Sequence, residues 1–169
     1  MHAAMAEMVC RPVAAGDHDA IADLLSAAFP GPEEARLTAQ LRADGDIALE
    51  FVAVSDGAIL AYVGFSRMQA PFRAVGLAPV ATAEAARKRG IADRLIRAAL
   101  AVAQERGWEG AFVLGDPAYY GRFGFRTDRA AGFACEYAGP HFMALALQGD
   151  ALPVTSGEVH YAPAFAALG

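Results

Sequence analysis

Between Val75 and Leu114 an apolar run, an amphipathic helix and a second apolar run follow one another, and this passage constrains the fold more than any other. Val75 to Thr82 is an apolar run and predicts a strand. From Ile91 to Arg106, the residues Ile91, Leu95, Ala98, Ala99 and Val102 recur at helical spacing, while Asp93, Arg94, Arg97 and Gln104 fall off that stripe. Gly107 supplies the stop, and Ala111 to Leu114 is a short buried strand. Strand, helix and strand in this order predict a parallel pair joined by a crossover, because parallel strands cannot be linked by a tight turn.

The upstream strands are antiparallel by their turns. Leu49 to Ser55 and Ala58 to Met68 flank Asp56-Gly57, a strong hairpin dipeptide, and Pro71 breaks the link to Val75. These runs form a three-stranded meander. Pro79 lies inside the third strand, and proline cannot donate to a ladder, so pairing there must be broken or bulged. Val9 to Val13 is a further short strand. Asp17 caps a helix to about Phe29, with Ile21, Leu24, Leu25 and Phe29 on one face. Pro30-Gly31-Pro32 ends it, and Pro32 suits the first turn of a second helix to about Ala43 that buries Leu37 and Leu41. After Gly115-Asp116-Pro117, Ala118 to Phe123 is a short helix or turn, and Phe142 to Leu147 and Glu158 to Tyr161 are the last strands. The expected class is α/β in the α+β sense, a mixed and mostly antiparallel sheet with one parallel junction, flanked by helices. No repeat or long linker interrupts the 169 residues, which predicts a single domain over 1–169.

Charge and composition exclude several function classes. The net charge of −5 lacks the basic excess of a nucleic-acid binder, so no nucleic-acid partner is expected. No apolar segment has the length of a membrane span, and Met1 to Cys10 has no basic region followed by an apolar one, so neither membrane nor secretion is expected and the cytoplasm is the predicted compartment. Cys10 and Cys135 belong to no C-x-x-C pair and read as small buried hydrophobes. Asp17-His18-Asp19 reads as a helix cap, since no further ligand cluster follows, and no metal is expected. The phosphate loop, the dinucleotide fingerprint and H-E-x-x-H are all absent, and Ser66 lacks the second glycine of a nucleophile elbow.

The chemistry concentrates at Arg87-Lys88-Arg89-Gly90. Three cations stand at the start of a helix, where the dipole is already positive. That placement costs a few tenths to about 1 kcal/mol per charge, and a bound anion would reverse the sign. Gly90 and Ala92 leave room for a ligand to approach the amides of the first turn. Charge alone leaves two equal readings here, a solvated basic turn and a phosphate or pyrophosphate site.

Arg87-x-x-Gly90-x-Ala92 resembles the (Gln/Arg)-x-x-Gly-x-(Gly/Ala) signature of the GNAT acetyltransferases. Gly76 to Thr82 is similar to that family's fourth strand, and Gly115-Asp116-Pro117-Ala118-Tyr119-Tyr120-Gly121-Arg122-Phe123-Gly124-Phe125 to its Tyr-x-x-x-Gly-Phe element. The wording of this last segment, and the tail from Gly157 to Phe165, resemble the YhbS-like bacterial branch of predicted acetyltransferases. The resemblance runs from Val9 to about Phe165 and implies the GNAT acyl-CoA N-acyltransferase fold, with the fourth and fifth strands splayed. It implies acetyl-CoA as cosubstrate. Pantetheine would pair with the backbone of Val80, Ala81 and Thr82, and the pyrophosphate would sit on the amides from Lys88 through Arg89, Gly90 and Ile91 to Ala92, beside Arg87. Glu84 stands where a proline is common. Val113 stands where many members carry an asparagine, and Asp116 is the candidate to replace that contact.

The implied reaction is direct attack of an amine on the thioester. A lysine-like amine is charged at neutral pH, and deprotonating it costs roughly 4–5 kcal/mol. An amide at a bulge near Val80 would meet the developing oxyanion. Tyr120 holds the position of the family's general acid for the leaving thiolate, with Tyr119 the alternative one residue away. Val75 to Thr82 contains no acid, so the family's usual base is missing, and Glu50, Glu84, Asp116, His141 and His160 are the formal candidates. The acidic balance slightly favours a small-molecule amine or basic peptide as acceptor, and a homodimer is allowed. Two other readings are a non-catalytic acyl-CoA-binding sensor on the same fold, against which Tyr120 argues, and an interaction module that binds no CoA.

Overall fold

The computed structural model describes residues 7–168. Eight strands occur among them, β1 (Val9–Pro12), β2 (Ile47–Ser55), β3 (Ala58–Met68), β4 (Ala74–Thr82), β5 (Gly110–Leu114), β6 (Phe133–Ala134), β7 (Phe142–Ala146) and β8 (Gly157–Glu158). Six of them form the main sheet in the order β1-β2-β3-β4-β5-β7. All neighbours in it are antiparallel except β4 and β5. The crossover between those two is α3 (Ile91–Glu105), the helix that the periodicity predicts. Its buried stripe sits slightly round from the one expected. Ile96, Leu100 and Ala103 are buried with Ile91, Leu95 and Ala99, while Ala98 and Val102 lie at the margin.

Alternation along the strands sends neighbouring side chains to opposite faces. Phe51, Phe65, Val75 and Leu77 pack under α3. Val52, Tyr62 and Ala81 pack with Ile21, Leu24 and Leu25 of α1 (His18–Ala28) on the other face. There, α2 (Glu33–Ala43) buries Leu37 and Leu41 against Ala162 and Phe165 of the C-terminal segment. No helix among the described residues is long and apolar enough to cross a membrane.

Two expectations are corrected. The segment Glu158 to Tyr161 does not add a strand to the main sheet. Only Gly157–Glu158 is a strand, and it pairs with β6 in a separate two-stranded ribbon, followed by a lone bridge from His160 to Gln69. The Tyr161 ring instead packs beside Gly76, where a Cβ would stand 2.5 Å from its Cε1, so the side chain serves packing rather than a ladder. Asp17 occupies the cap position of α1, but its carboxylate makes no capping bond to that helix. It turns back to Arg11, with Nη1–Oδ2 2.7 Å and Nη2–Oδ1 3.0 Å, and accepts from the Ala14 amide at 2.8 Å.

These partners, the Arg11 hydrogen bond foremost, lower the Asp17 carboxyl to about 2. A carboxyl held below its unfolded value of about 3.9 stabilises the fold above that value and loses the contribution as pH falls through the folded one. Asp17→Asn is therefore expected to melt below wild type at pH 5 and to converge on it near pH 2. Melting curves across that range test this, and a constant gap between the two proteins would refute it.

Candidate active site

The site begins where the sheet opens. Pairing between β4 and β5 covers only Ala74 with Gly110, Val75 with Ala111 and Gly76 with Phe112. Beyond Gly76, β4 continues to Thr82 with no strand opposite that edge among the described residues. On its other edge β4 pairs with β3, but the register slips between Val63–Val80 and Phe65–Leu77. Ala78 and Pro79 thus stand together opposite Gly64, the bulge that Pro79 required.

The bulge rests on a half-buried polar cluster. The Tyr62 hydroxyl donates to Glu50 Oε1 at 2.7 Å and occupies the space beside Gly64, where a Cβ would meet it at 2.8 Å. Glu50 in turn accepts Arg42 Nη2 at 2.9 Å and Nε at 3.0 Å. Burial first, and Glu50 second, push the Tyr62 phenol well above its usual range. Arg42 lies on α2, Glu50 on β2 and Tyr62 on β3, so the cluster fastens α2 to the sheet beneath the bulge.

At the far end of the opening, the chain turns into α3. Lys88 and Gly90 both adopt left-handed backbone, at φ +62° and +72°. Among the described residues, none of the amides from Lys88 to Asp93 donates to a backbone carbonyl. The first helical bond is Arg94 N–H to the Gly90 carbonyl, at 3.1 Å. Alternating left-handed residues and free amides at a helix start make an anion-binding concavity. It opens into a cavity of about 320 Å³ lined by Thr82, Arg87, Lys88, Gly90, Ile91 and Ala92. Arg87 and Lys88 are exposed at its edge, Arg89 is exposed in the same turn but does not line it, and the Ile91 side chain is buried in the core below. Val80 and Ala81 stand on the open part of β4, with the Ala81 side chain turned into the α1 face.

The paired tyrosines touch edge to face but line different cavities. Tyr119 borders the basic cavity, where its hydroxyl donates to Asp93 Oδ1 at 3.1 Å. Arg122 pairs with Asp93 Oδ2 at 2.7 Å and lies over the Tyr119 ring. Tyr120 lines a second cavity of about 270 Å³, which also touches Leu77, Ala78, Pro79, Val80 and Leu114. Among the described residues no side chain or carbonyl bonds the Tyr120 hydroxyl, and burial raises its pKa above the usual value. Its ring packs on Tyr119, Phe123 and Phe125. Gly115 is the floor for that ring, because a Cβ there would fall 2.5 Å from Tyr120 Cε2. This need is invisible in the sequence.

The formal bases fall elsewhere. Glu50 is held by Arg42 and Tyr62. Asp116 caps α4 (Pro117–Tyr120), accepting from the Ala118 amide at 2.9 Å, so its carboxylate is engaged away from both cavities. Glu84 is exposed on a 3₁₀ turn. His141 is exposed, with Nδ1 3.3 Å from the Gly115 carbonyl oxygen, and His160 is 3.4 Å from Glu158. Val113 is buried in the core under α3 and faces neither cavity. The acid that does line the Tyr120 cavity is Glu34, in the first turn of α2. In sequence its place after Pro32 is fully explained by the helix dipole, and nothing local marks it out.

Residues 18–125 match the acetyltransferase (GNAT) family model. The chain is 36% identical over 151 residues to an uncharacterized N-acetyltransferase, YhbS, of Escherichia coli (strain K12), covering 86% of this chain and 90% of that protein. The crystal structure of the E. coli GNAT-family N-acetyltransferase YhbS in complex with CoA superposes with a TM-score of 0.92 at 33% identity, covering 100% of this chain and 97% of that one. A GNAT-family acetyltransferase from Brucella melitensis in complex with acetyl-CoA gives 0.80 at 31% identity, over 94% of this chain and 98% of that one.

Proposed function

The chain belongs to the acetyltransferase (GNAT) family, and on that footing we propose that it moves an acetyl group from acetyl-CoA to an amine, with Tyr120 as the general acid. The observation that carries the reading is the opening of β4 from β5 beyond Gly76, which leads from the Tyr120 cavity to the free amides at the start of α3. Val80, Ala81 and Thr82 offer backbone groups along the pantetheine. The amides from Lys88 to Ala92 hold the pyrophosphate, and Arg87, Lys88 and Arg89 surround it with positive charge. An amide at the bulge near Val80 stabilises the charge that gathers on the carbonyl oxygen as the amine attacks. Tyr120, kept protonated by burial, gives its proton to the departing sulfur. The acceptor is a small-molecule amine or the amine of a basic peptide.

The first test is binding. Linkage gives about 2.7 kcal/mol of added stability at a hundredfold excess of ligand over its Kd. For a chain of this size that raises Tm by roughly 5–10 °C. Scanning fluorimetry at millimolar acetyl-CoA is expected to show this rise. No shift, with titration calorimetry also silent, would remove the acetyl-CoA reading.

A further inference from the structure

We infer that Glu34 is the anionic end of the acceptor site, and that the acceptor is an unbranched aliphatic primary amine entering as its ammonium ion. The inference rests on the acetyl-transfer reading, which sets the reacting carbon near Val80 and Tyr120. Four observations carry it. Among the described residues that line the Tyr120 cavity, Glu34 is the one carboxylate and none is a cation. Its carboxylate has no ion pair and no hydrogen bond among the described residues, although the residue is half-buried. The remaining walls are apolar, from Phe29, Leu37, Leu77 and Leu114. Finally, the helix dipole is already met by the neighbouring Glu33, which is exposed and folds back beside Gly31.

A lone carboxylate among apolar walls is short of a counter-ion, and an ammonium group supplies it with a charge-assisted bond stronger than the same bond in open water. The about 270 Å³ available suits a short carbon chain, whose methylenes would lie along Leu114 and Phe29. Leu114 is 48% exposed, an unusual state for leucine that such a chain would relieve. In the reaction the ammonium loses one proton to solvent, its lone pair forms the C–N bond and the C–S bond breaks. Sulfur takes the Tyr120 proton, and the second proton lost by the nitrogen restores Tyr120. Free amines and lysine side chains share this chemistry.

The test compares n-pentylamine, n-pentanol and Nα-acetyl-lysine methylamide, titrated calorimetrically into the CoA-loaded protein. The wild type is expected to prefer pentylamine to pentanol by about tenfold or more, the worth of one hydrogen bond to a charged group. Glu34→Gln is expected to lose that preference with unchanged acetyl-CoA affinity, and Glu33→Gln, which removes the same charge outside the cavity, to keep it. The lysine derivative separates the two sources, since tighter binding than pentylamine points to a peptide and weaker binding to a free amine. A preference that survives Glu34→Gln, or disappears equally in Glu33→Gln, or is absent from wild type, overturns the inference. Free-thiol release from acetyl-CoA supplied in place of CoA is read in parallel. Glu34-dependent amine binding without any thiol release would sink the acetyl-transfer reading and leave only the amine site at Glu34, whereas thiol release with no Glu34-dependent preference would sink the amine site alone.

Discussion

Turnover of Tyr120→Phe is expected to fall by about 10², the low end of what a general acid contributes, with acetyl-CoA affinity nearly unchanged. The substitution keeps the ring that packs on Gly115, Phe123 and Phe125 and removes only a hydroxyl that bonds nothing among the described residues. The low end applies because a thiol with a pKa near about 8.5 leaves fairly well without help. The pH profile is the sharper readout. Burial holds Tyr120 above its ordinary value, so the wild-type rate should persist past the pH at which an ordinary tyrosine ionises and fall only beyond that, as the proton to be donated is lost. That limb should vanish in the mutant. Tyr119→Phe should lose only the bond to Asp93 and retain most activity. Full activity in Tyr120→Phe with impairment in Tyr119→Phe would transfer the role to Tyr119. Full activity in both would leave the sulfur to depart unaided.

Gly90→Val is expected to weaken acetyl-CoA binding by at least about 100-fold, enough to abolish it at ordinary concentrations. Hydrogen bonds to a charged group are worth about 1.5–3 kcal/mol each, and two lost at the pyrophosphate suffice. The reason is backbone rather than crowding. Gly90 sits at φ +72°, and a Cβ added to it would have no protein atom within 4 Å, so the protein itself has room for the side chain. A β-branched residue, however, resists the left-handed region, and a shift to negative φ turns the amides away from the cavity. Calorimetry gives the affinity and circular dichroism checks that α3 persists. A folded Gly90→Val protein with wild-type affinity would place the phosphates elsewhere.

What can be read from the sequence is local. The strand at β4, the helix at α3 and the hairpin at Asp56-Gly57 follow from periodicity and turn chemistry within a few residues, and the structure has them there. Pro79 discloses the bulge because a missing donor has the same consequence in any sheet. The features that escape depend on what distant segments bring. Gly115 matters only because the Tyr120 ring lies on it, and Gly76 because Tyr161 returns to it from the end of the chain. Glu34 reaches the bulge through the packing of α2, which no window around residue 34 contains. Asp17 departs from its expected capping role because Arg11 and the Ala14 amide compete for the carboxylate that would otherwise cap its helix.

The fastening of α2 by Arg42 to Glu50 lies eight residues from Glu34, about 12 Å along the helix at its usual rise. The basic turn that would hold the cosubstrate belongs to α3, across the sheet. On this proposal, donor and acceptor choice would be written in separate stretches of chain, 80–92 and 33–43. Substitutions near the start of α2 can change which amine is selected without rewriting the handle by which the acyl carrier is gripped. A lineage, or an engineer, can vary one module while the other is kept.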